Sequence, residues 1–521
     1  MDKIRILWAD DEIDLLRPQL FFLEKKGYEV ETTTNGHDAL DLLSRNPNAY
    51  DLIFLDESMP GITGLETLSR IRKKGWPQPV VMVTKNEAEN IMEEAIGAEI
   101  ADYLIKPVNP NQLILTIKKL MDNKRLVSEK SSMDYQIAFR ELFMEINSNP
   151  SFGQWAEIYR KLIQWEIKLD LHNAPEMQEI LANQKKEANA EFSKYVASHY
   201  QKWFESGGTA QPLWSHQLLS KKLFPYLKDD LPTIFVLLDN LRYDQWKIIE
   251  PVLMESFAVQ EEDYFYSILP TTTQYSRNAI FAGLLPAEIE KSYPDWWLND
   301  NEEGGKNLKE PDLLAAQLKR VFRKEIRMEY WKVTNATQGK ALVDSAHNFL
   351  NNQLTVIVYN FIDMLSHART EMEVLKELAS DEKAYRSLTR SWFVHSPLWA
   401  ALQKLAGQKV QLVIATDHGT IRVNDPSKVV GDRETTPNLR YKVGRNLNYE
   451  RKDVLEIREP NKVGLPRPNL SSTFIFAKEN TYFLYPNNYN YYLNYYRNTF
   501  QHGGISMEEM ICPVIRLNSR A

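Results

Sequence analysis

Apolar and polar positions follow two rhythms along residues 1–121. Short apolar runs at 4–9, 52–55 and 80–84 predict buried strands. One-sided stripes at 15–26, 39–45 and 65–73 predict helices between them. This alternation predicts a parallel sheet with helices on both faces. Over residues 122–225 the strand signal disappears. Phe139, Leu142, Phe143 and Ile146 fall at i, i+3, i+4, i+7, as do Trp155, Ile158, Tyr159 and Leu162. Phe192, Tyr195, Val196 and His199 repeat the spacing. These stripes predict packed amphipathic helices with aromatic cores, punctuated at Asn149-Pro150, Ala174-Pro175 and Gly207-Gly208. From residue 226 the strand-like runs return, at 233–238, 355–359 and 410–415, each followed at once by polar or acidic residues. The expected organisation is an α/β multidomain chain with domains at 1–121, 122–225 (a central helical bundle) and 226–521.

Composition narrows the class. With 43% hydrophobic and 26% charged residues in 521, the chain has ample length for real cores. Cys512 is the single cysteine, so no internal disulfide forms, as expected of a reducing compartment. The first residues, MDKIRILWADDE, are acidic where a signal peptide needs an apolar run, and no stretch is long and apolar enough to span a bilayer. A cytoplasmic protein without membrane insertion is expected. Lys and Arg number 63 against 70 Asp and Glu, a formal charge of −7. No basic domain or helix-turn-helix signature follows, which argues against a dedicated DNA-binding domain. Residues 428–468 are locally basic, with ten Lys/Arg against six Asp/Glu, and rich in Pro, Gly and Asn.

The first expected strand ends at Asp10-Asp11 and the next at Asp56. Strand ends of a doubly wound sheet share one crevice, where three carboxylates require a cation. A hard ion such as Mg²⁺ suits an all-oxygen site. Thr84 and Lys106 end the following strands and supply a hydroxyl and a charge for a phosphoryl group. The motifs DDE at 10–12, LDESMPGITG at 55–64, Thr84 and ADYLIKP at 101–107 resemble the flavodoxin-like receiver domain of response regulators. The resemblance implies that Asp56 accepts phosphate from a sensor histidine kinase. It further implies that Asp11, Asp56 and the carbonyl of Ser58 hold Mg²⁺ with Asp10 close by, and that Thr84 and Tyr103 act as the switch pair beside Lys106.

The C-terminal part carries a second constellation. LLDNLRYDQ (237–245), LPTTTQYSRNAIFAGLLP (269–286), YNFIDMLSH (359–367), IATDHGT (414–420) and QHGG (501–504) place Asp239, Asp363, His367, Asp417, His418 and His502 near expected strand ends. An Asp/His mixture without cysteine suits Zn²⁺, with Mn²⁺ as the alternative. Six such side chains suffice for two metals, which together activate a nucleophile and stabilise a leaving oxygen. The threonines at 271–273 open a helical pattern, where a hydroxyl can attack and a phosphate is held by the helix dipole.

This order of motifs resembles the alkaline phosphatase superfamily, and specifically its PglZ branch, with an alkaline-phosphatase-like α/β/α fold. By that resemblance Asp239, Thr273, Asp417 and His418 bind one zinc, and Asp363, His367 and His502 the other. The superfamily nucleophile lies ten residues before a helix glycine, here Gly283, which favours Thr273, with Thr271 as the alternative. Arg277 is expected to contact phosphate. Asn240 stands where the superfamily motif commonly has glycine. A nucleophilic threonine resembles the nucleotide phosphodiesterase branch, and the basic segment 428–468 is either a cap over an anionic, oligonucleotide-like substrate or a solvated loop. Receiver, helical linker and hydrolase together resemble the PorX-type response regulators of type IX secretion. That resemblance implies a zinc-dependent phosphodiesterase or phosphatase output, homodimerisation on phosphorylation, and contact with a sigma factor or secretion component. The competing reading is a catalytically silent binding regulator.

Overall fold

The computed structural model describes residues 4–46, 49–85, 100–171, 175–205, 210–371 and 381–520. They form two compact units, Met1–Met133 and Asp134–Ala521. Ala174, Gly207 and Gly208, read above as punctuation, lie outside the described residues.

In the first unit, β1 (Arg5–Ala9), β2 (Glu29–Thr33), β3 (Leu52–Asp56), β4 (Val80–Thr84) and β5 (Asp102–Ile105) form a parallel sheet in the order β2-β1-β3-β4-β5. This is the flavodoxin-like order. Strand periodicity divides the apolar residues between the faces. Leu7, Ala9, Ile53, Leu55 and Met82 pack in one cluster, whereas Ile6, Trp8, Leu52, Phe54, Val81 and Val83 pack in another. Two helices owe their starts to local chemistry. Asn35 caps Gly36–Arg45, and Thr63 and Glu66 form a reciprocal capping box on Gly64–Lys73.

The second unit is built on a six-stranded sheet. Its labelled strands are β6 (Thr233–Leu238), β7 (Phe257–Tyr266), β8 (Met328–Val333), β9 (Leu354–Tyr359) and β10 (Gln411–Ala415). With the C-terminal strand Ile511–Ser519 the order is β7, C-terminal strand, β10, β6, β9, β8. β10, β6, β9 and β8 run parallel, and the C-terminal strand is antiparallel to both its neighbours. The central strands β6, β9 and β10 are buried along their whole length, as continuous apolar runs in a covered sheet should be.

The helical stretch packs into the same core as this sheet rather than forming a separate one. Trp155 on helix Phe152–Leu171 meets Phe192 on helix Pro175–Phe204, with ring centres 5.6 Å apart, and Phe192 meets Tyr266 of β7 at 6.3 Å. The Tyr266 hydroxyl donates to the Phe152 carbonyl at 2.7 Å, and the Leu269 amide donates to the Tyr200 hydroxyl at 2.8 Å. Of the stripe at 139–146, Leu142 and Ile146 are buried while Phe143 is 45% exposed. Phe143 falls at the margin of that stripe, where the turn of 100° per residue carries a side chain out of the core.

The basic segment 428–468 is ordered, not a plain loop. Asp425–Val430, Asn448–Tyr449 and Thr481–Leu484 make one small sheet, and Tyr441–Gly444, Val454–Ile457 and Thr473–Ala477 another. Among the described residues no helix is long and apolar enough to cross a membrane.

Candidate metal centre

The receiver sheet brings three strand ends together. Asp10 follows β1 and Asp56 ends the adjacent β3; Asp11 joins them, with ligand atoms of all three within 4.8 Å of one another. Lys106, just after β5, donates to Asp10 at 2.9 Å and to Asp56 at 3.0 Å. Burial raises the Asp56 pKa and the nearby Asp10 and Asp11 charges add to it, against the opposing pull of Lys106. Burial works against the Lys106 charge, but its bonds to the two carboxylates prevail and hold its pKa up. Three acids sharing one lysine leave negative charge that a divalent cation would balance, so the donor set fits Mg²⁺. Ser58 is exposed just beyond Asp56, Thr84 is buried at the end of β4, and Tyr103 is 38% exposed. Gly64 is required here, because a Cβ would stand 2.4 Å from the Asp56 carbonyl oxygen.

In the second unit, three acids gather at the C-terminal ends of three neighbouring parallel strands. Asp239 follows β6, Asp417 lies two residues beyond β10, and Asp363 opens the helix Phe361–Glu371 after β9. His418 is next to Asp417, and His367 lies one helical turn beyond Asp363. His502 is delivered by the short pairing of Phe500–Gln501 with Ile421–Arg422. The result is two triads whose ligand atoms each lie within 4.8 Å: Asp239, Asp417 and His418, all buried, and Asp363, His367 and His502, more open. The His418 and His502 rings stack at 4.3 Å, so the triads adjoin.

Backbone carbonyls fix which ring nitrogens face the centre. His418 donates from Nδ1 to the Gly419 carbonyl at 3.1 Å, and His502 from Nδ1 to the Thr271 carbonyl at 3.2 Å. With Nδ1 engaged in each, Nε2 is the ring nitrogen left to face a metal. Burial, then the neighbouring histidines, pushes the His502 pKa well below its ordinary value, so its ring is neutral. Burial and the like charges of Asp417 and Asp363 raise Asp239, with Arg277 opposing. Asp417, despite burial, is held low by Arg277 and His418. Carboxylates and imidazoles in this number fit two divalent cations, with Zn²⁺ suited to the N/O mixture.

The threonines separate by location. Thr273 Oγ1 stands 3.4 Å from Asp239 Oδ1 and 3.2 Å from His418 Nε2, at the start of the turn Thr273–Arg277. Thr271 Oγ1 is fully buried; it donates to the Gly504 carbonyl and accepts from the Gly503 amide, both at 3.0 Å. It ties down the loop that carries His502. Arg277, expected to contact phosphate, lines the same cleft as Thr273 and is held among acids. It is fully buried, pairs with Asp239, and reaches Asp417 at 2.9 Å and Glu310 at 3.6 Å. From the cleft floor its guanidinium faces the carboxylates and orients them.

Asn240 links the triads. Its φ of 66° is a left-handed conformation that asparagine tolerates better than most residues, which explains its exchange with glycine. Its amide donates to Asp417 at 3.2 Å, and its side chain to Asp363 at 3.3 Å and to Ser366 at 3.3 Å. Ser267 and Ser276 both donate to the Asp417 carbonyl, at 2.8 and 2.6 Å. Gly419 passes so close to the Glu508 carbonyl that a Cβ would stand 2.0 Å from it. Sequence reasoning missed Glu310, Ser267 and Ser276, because no motif spacing marks residues that serve through other residues.

Three family models match the chain. Residues 218–517 match the BREX system PglZ alkaline phosphatase-like domain, 125–204 the PorX response regulator linker domain, and 6–118 the response regulator receiver domain. The alginate biosynthesis transcriptional regulatory protein AlgB of Pseudomonas putida is 36% identical over 133 residues, 26% of this chain and 29% of that protein. The transcriptional regulatory protein ResD of Bacillus subtilis is 34% identical over 121 residues, 23% of this chain and 49% of that protein. The chain thus spans 29% and 49% of the length of these two relatives. A CheY-like receiver structure from Methanospirillum hungatei JF-1 is 30% identical, covering 23% of this chain and 96% of its own, with a TM-score of 0.22.

Proposed function

The chain belongs to the PglZ alkaline phosphatase-like family, joined to a receiver and a PorX-type linker as a two-component regulator with a hydrolase-like output, and from this premise we propose that it is a zinc-dependent phosphodiesterase under receiver control. The observation that carries the reading is Thr273, whose hydroxyl stands against Asp239 and His418 of the buried triad.

In this reading Asp239, Asp417 and His418 hold one zinc ion, with the Thr273 oxygen, and Asp363, His367 and His502 hold the other. Bound zinc ions would lower the pKa of the threonine hydroxyl and neutralise charge on the transferring phosphoryl group. Thr273 Oγ1 attacks phosphorus, a P–O bond to the threonine forms, and the bond to the leaving alkoxide breaks. Water then cleaves the phosphothreonine and restores the hydroxyl. Arg277 keeps the Asp239 and Asp417 carboxylates aimed inward, and Asn240 holds Asp417 and Asp363 in register. The structured basic insertion favours an anionic oligomeric substrate over a small monoester.

Upstream, Asp56 accepts phosphate from a sensor histidine kinase, with Mg²⁺ at Asp10, Asp11, Asp56 and the Ser58 carbonyl, and Thr84, Tyr103 and Lys106 read the change. A cytoplasmic location, homodimerisation on phosphorylation and an output to type IX secretion through a sigma factor or secretion component belong to the same reading. The test is direct: assay the protein with bound zinc quantified, using a chromogenic phosphodiester beside the matching monoester. Preferential turnover of the diester supports the reading. A zinc-loaded protein that turns over neither would favour a silent binding regulator.

A further inference from the structure

The cleft containing Thr273 and His502 encloses about 420 Å³, and its wall carries Lys306, Asn307 and Lys332. We propose that Lys306 and Lys332 form a second anion site, which takes a phosphate of the substrate other than the one being cleaved. The proposal rests on the phosphodiesterase reading and names what that active site selects.

The two lysines are held rather than loose. Lys332 donates to the Asn307 carbonyl at 2.8 Å and to Glu310 at 2.9 Å. Lys306 donates to the carbonyls of Asn299, at 2.6 Å, and Glu302. An ammonium has three donors, so each lysine keeps one beyond these bonds among the described residues. Glu310 lies between Lys332, at 2.9 Å, and Arg277, at 3.6 Å, and neither of these two Lys306 bonds is to a carboxylate.

The position of the pair relative to the reacting hydroxyl is also fixed. Asn307 donates to the Thr273 carbonyl and to Asn278, both at 3.1 Å, so the lysine loop is bonded to the backbone of the nucleophile itself. The start of that loop is anchored by Asp300, which accepts from Tyr275 at 2.6 Å and Tyr441 at 2.9 Å. Cationic donors on a preorganised wall bind an anion with little ordering cost. One scissile diester carries a single negative charge, which the metal centre addresses. The wall cations suit a further phosphate on the same molecule.

The dinucleotides TpT and pTpT differ by one 5′-phosphate and provide the probe. The zinc-loaded full chain carrying Thr273→Ala, so that neither dinucleotide is consumed, is titrated with each by calorimetry. About tenfold tighter binding of pTpT is expected, as for a charge-assisted contact, and the preference should shrink as salt screens it. Lys306→Gln and Lys332→Gln should each reduce the preference to about twofold or less. Glutamine keeps an amide donor for the loop carbonyls but removes the charge, and thermal melting identifies any variant that has lost its fold. TpTpT distinguishes a neighbouring diester from a terminal monoester as the second anion. Equal binding of TpT and pTpT would overturn the second site, and so would a preference that survives both substitutions. Turnover of TpT by the chain with Thr273 restored reports separately on the hydrolase reading. Turnover without a pTpT preference overturns only the second site; a preference without turnover overturns only the hydrolase.

Discussion

Asn240 combines a strained backbone with two bridging bonds, so its substitution tests whether the triads act as one centre. Asn240→Ala loses the Asp363 and Ser366 contacts and forces alanine into a left-handed conformation, whereas Asn240→Gly loses only the contacts. The alanine variant should be less stable by about 2–3 kcal/mol and the glycine variant by about 1 kcal/mol. Thermal melting checks the order, and both should bind less metal than the parent. Equal stability of the two would show that strain is not part of the cost. Lys442 offers a separate residue-scale test. Burial lowers its pKa to about 7, although it donates to the Thr436 carbonyl at 2.9 Å. Between about pH 7 and its unfolded value near 10.4 the unfolded chain holds a proton that the folded chain lacks, so stability should rise with pH across that window. Lys442→Met should flatten the rise and stabilise the protein by on the order of 1–2 kcal/mol at pH 7. A pH profile of denaturant midpoints for both proteins decides it. At this scale the acids and histidines were legible because a ligand must be an Asp or a His, and there are few of them at strand ends. The buried place of Arg277 was not legible, since an arginine one turn beyond a nucleophile reads equally well as a phosphate contact.

At the scale of elements, the helices Phe152–Leu171 and Glu382–Val394 are joined to the start of Tyr243–Leu253 by a buried ion network. Arg386 reaches Glu166 at 2.9 Å, Asp170 at 2.5 Å and Asp244 at 3.0 Å, and Arg242 reaches Asp244 at 2.6 Å. Asp244 lies only five residues beyond Asp239 of the buried triad, so the network ties the helical layer to that loop. Arg386→Met would leave Asp170 without this buried partner and Asp244 and Glu166 to Arg242 and Lys185 alone, and should cost about 3 kcal/mol. Asp170→Asn, at the partly exposed end, should cost about 1 kcal/mol or less. Denaturant unfolding of the two variants tests the difference, and a small loss in Arg386→Met would show that the network is not what holds these helices. The strands β6, β9 and β10 were readable because fully buried strands are continuous apolar runs. The helical layer was readable as helices but not as part of the sheet's core, since a stripe shows that a face is buried without showing what buries it. The small sheets around 428–468 were hidden by their Pro, Gly and Asn content and short strands, which resemble loop.

For the whole molecule, the receiver and the hydrolase-like unit are each legible from motifs in order, while their coupling is not, because it depends on populations of states rather than on residue types. If phosphorylation of Asp56 shifts such an equilibrium, a phosphate mimic must change both assembly and rate. Beryllofluoride with Mg²⁺ should move the protein from monomer towards dimer by light scattering, and Asp56→Asn should abolish the shift. An unchanged mass with Asp56 demonstrably occupied would show that the receiver does not control assembly. The central claim is that Thr273, beside the Asp239, Asp417 and His418 triad, makes this unit a phosphodiesterase. Its most direct test is kcat/KM for bis(p-nitrophenyl) phosphate in the zinc-loaded full chain and in the same chain carrying Thr273→Ala. The account predicts measurable turnover in the parent and a loss of at least about 10³-fold in the variant, with zinc content largely retained. Equal rates in the two, or no turnover in the fully loaded parent, would contradict it.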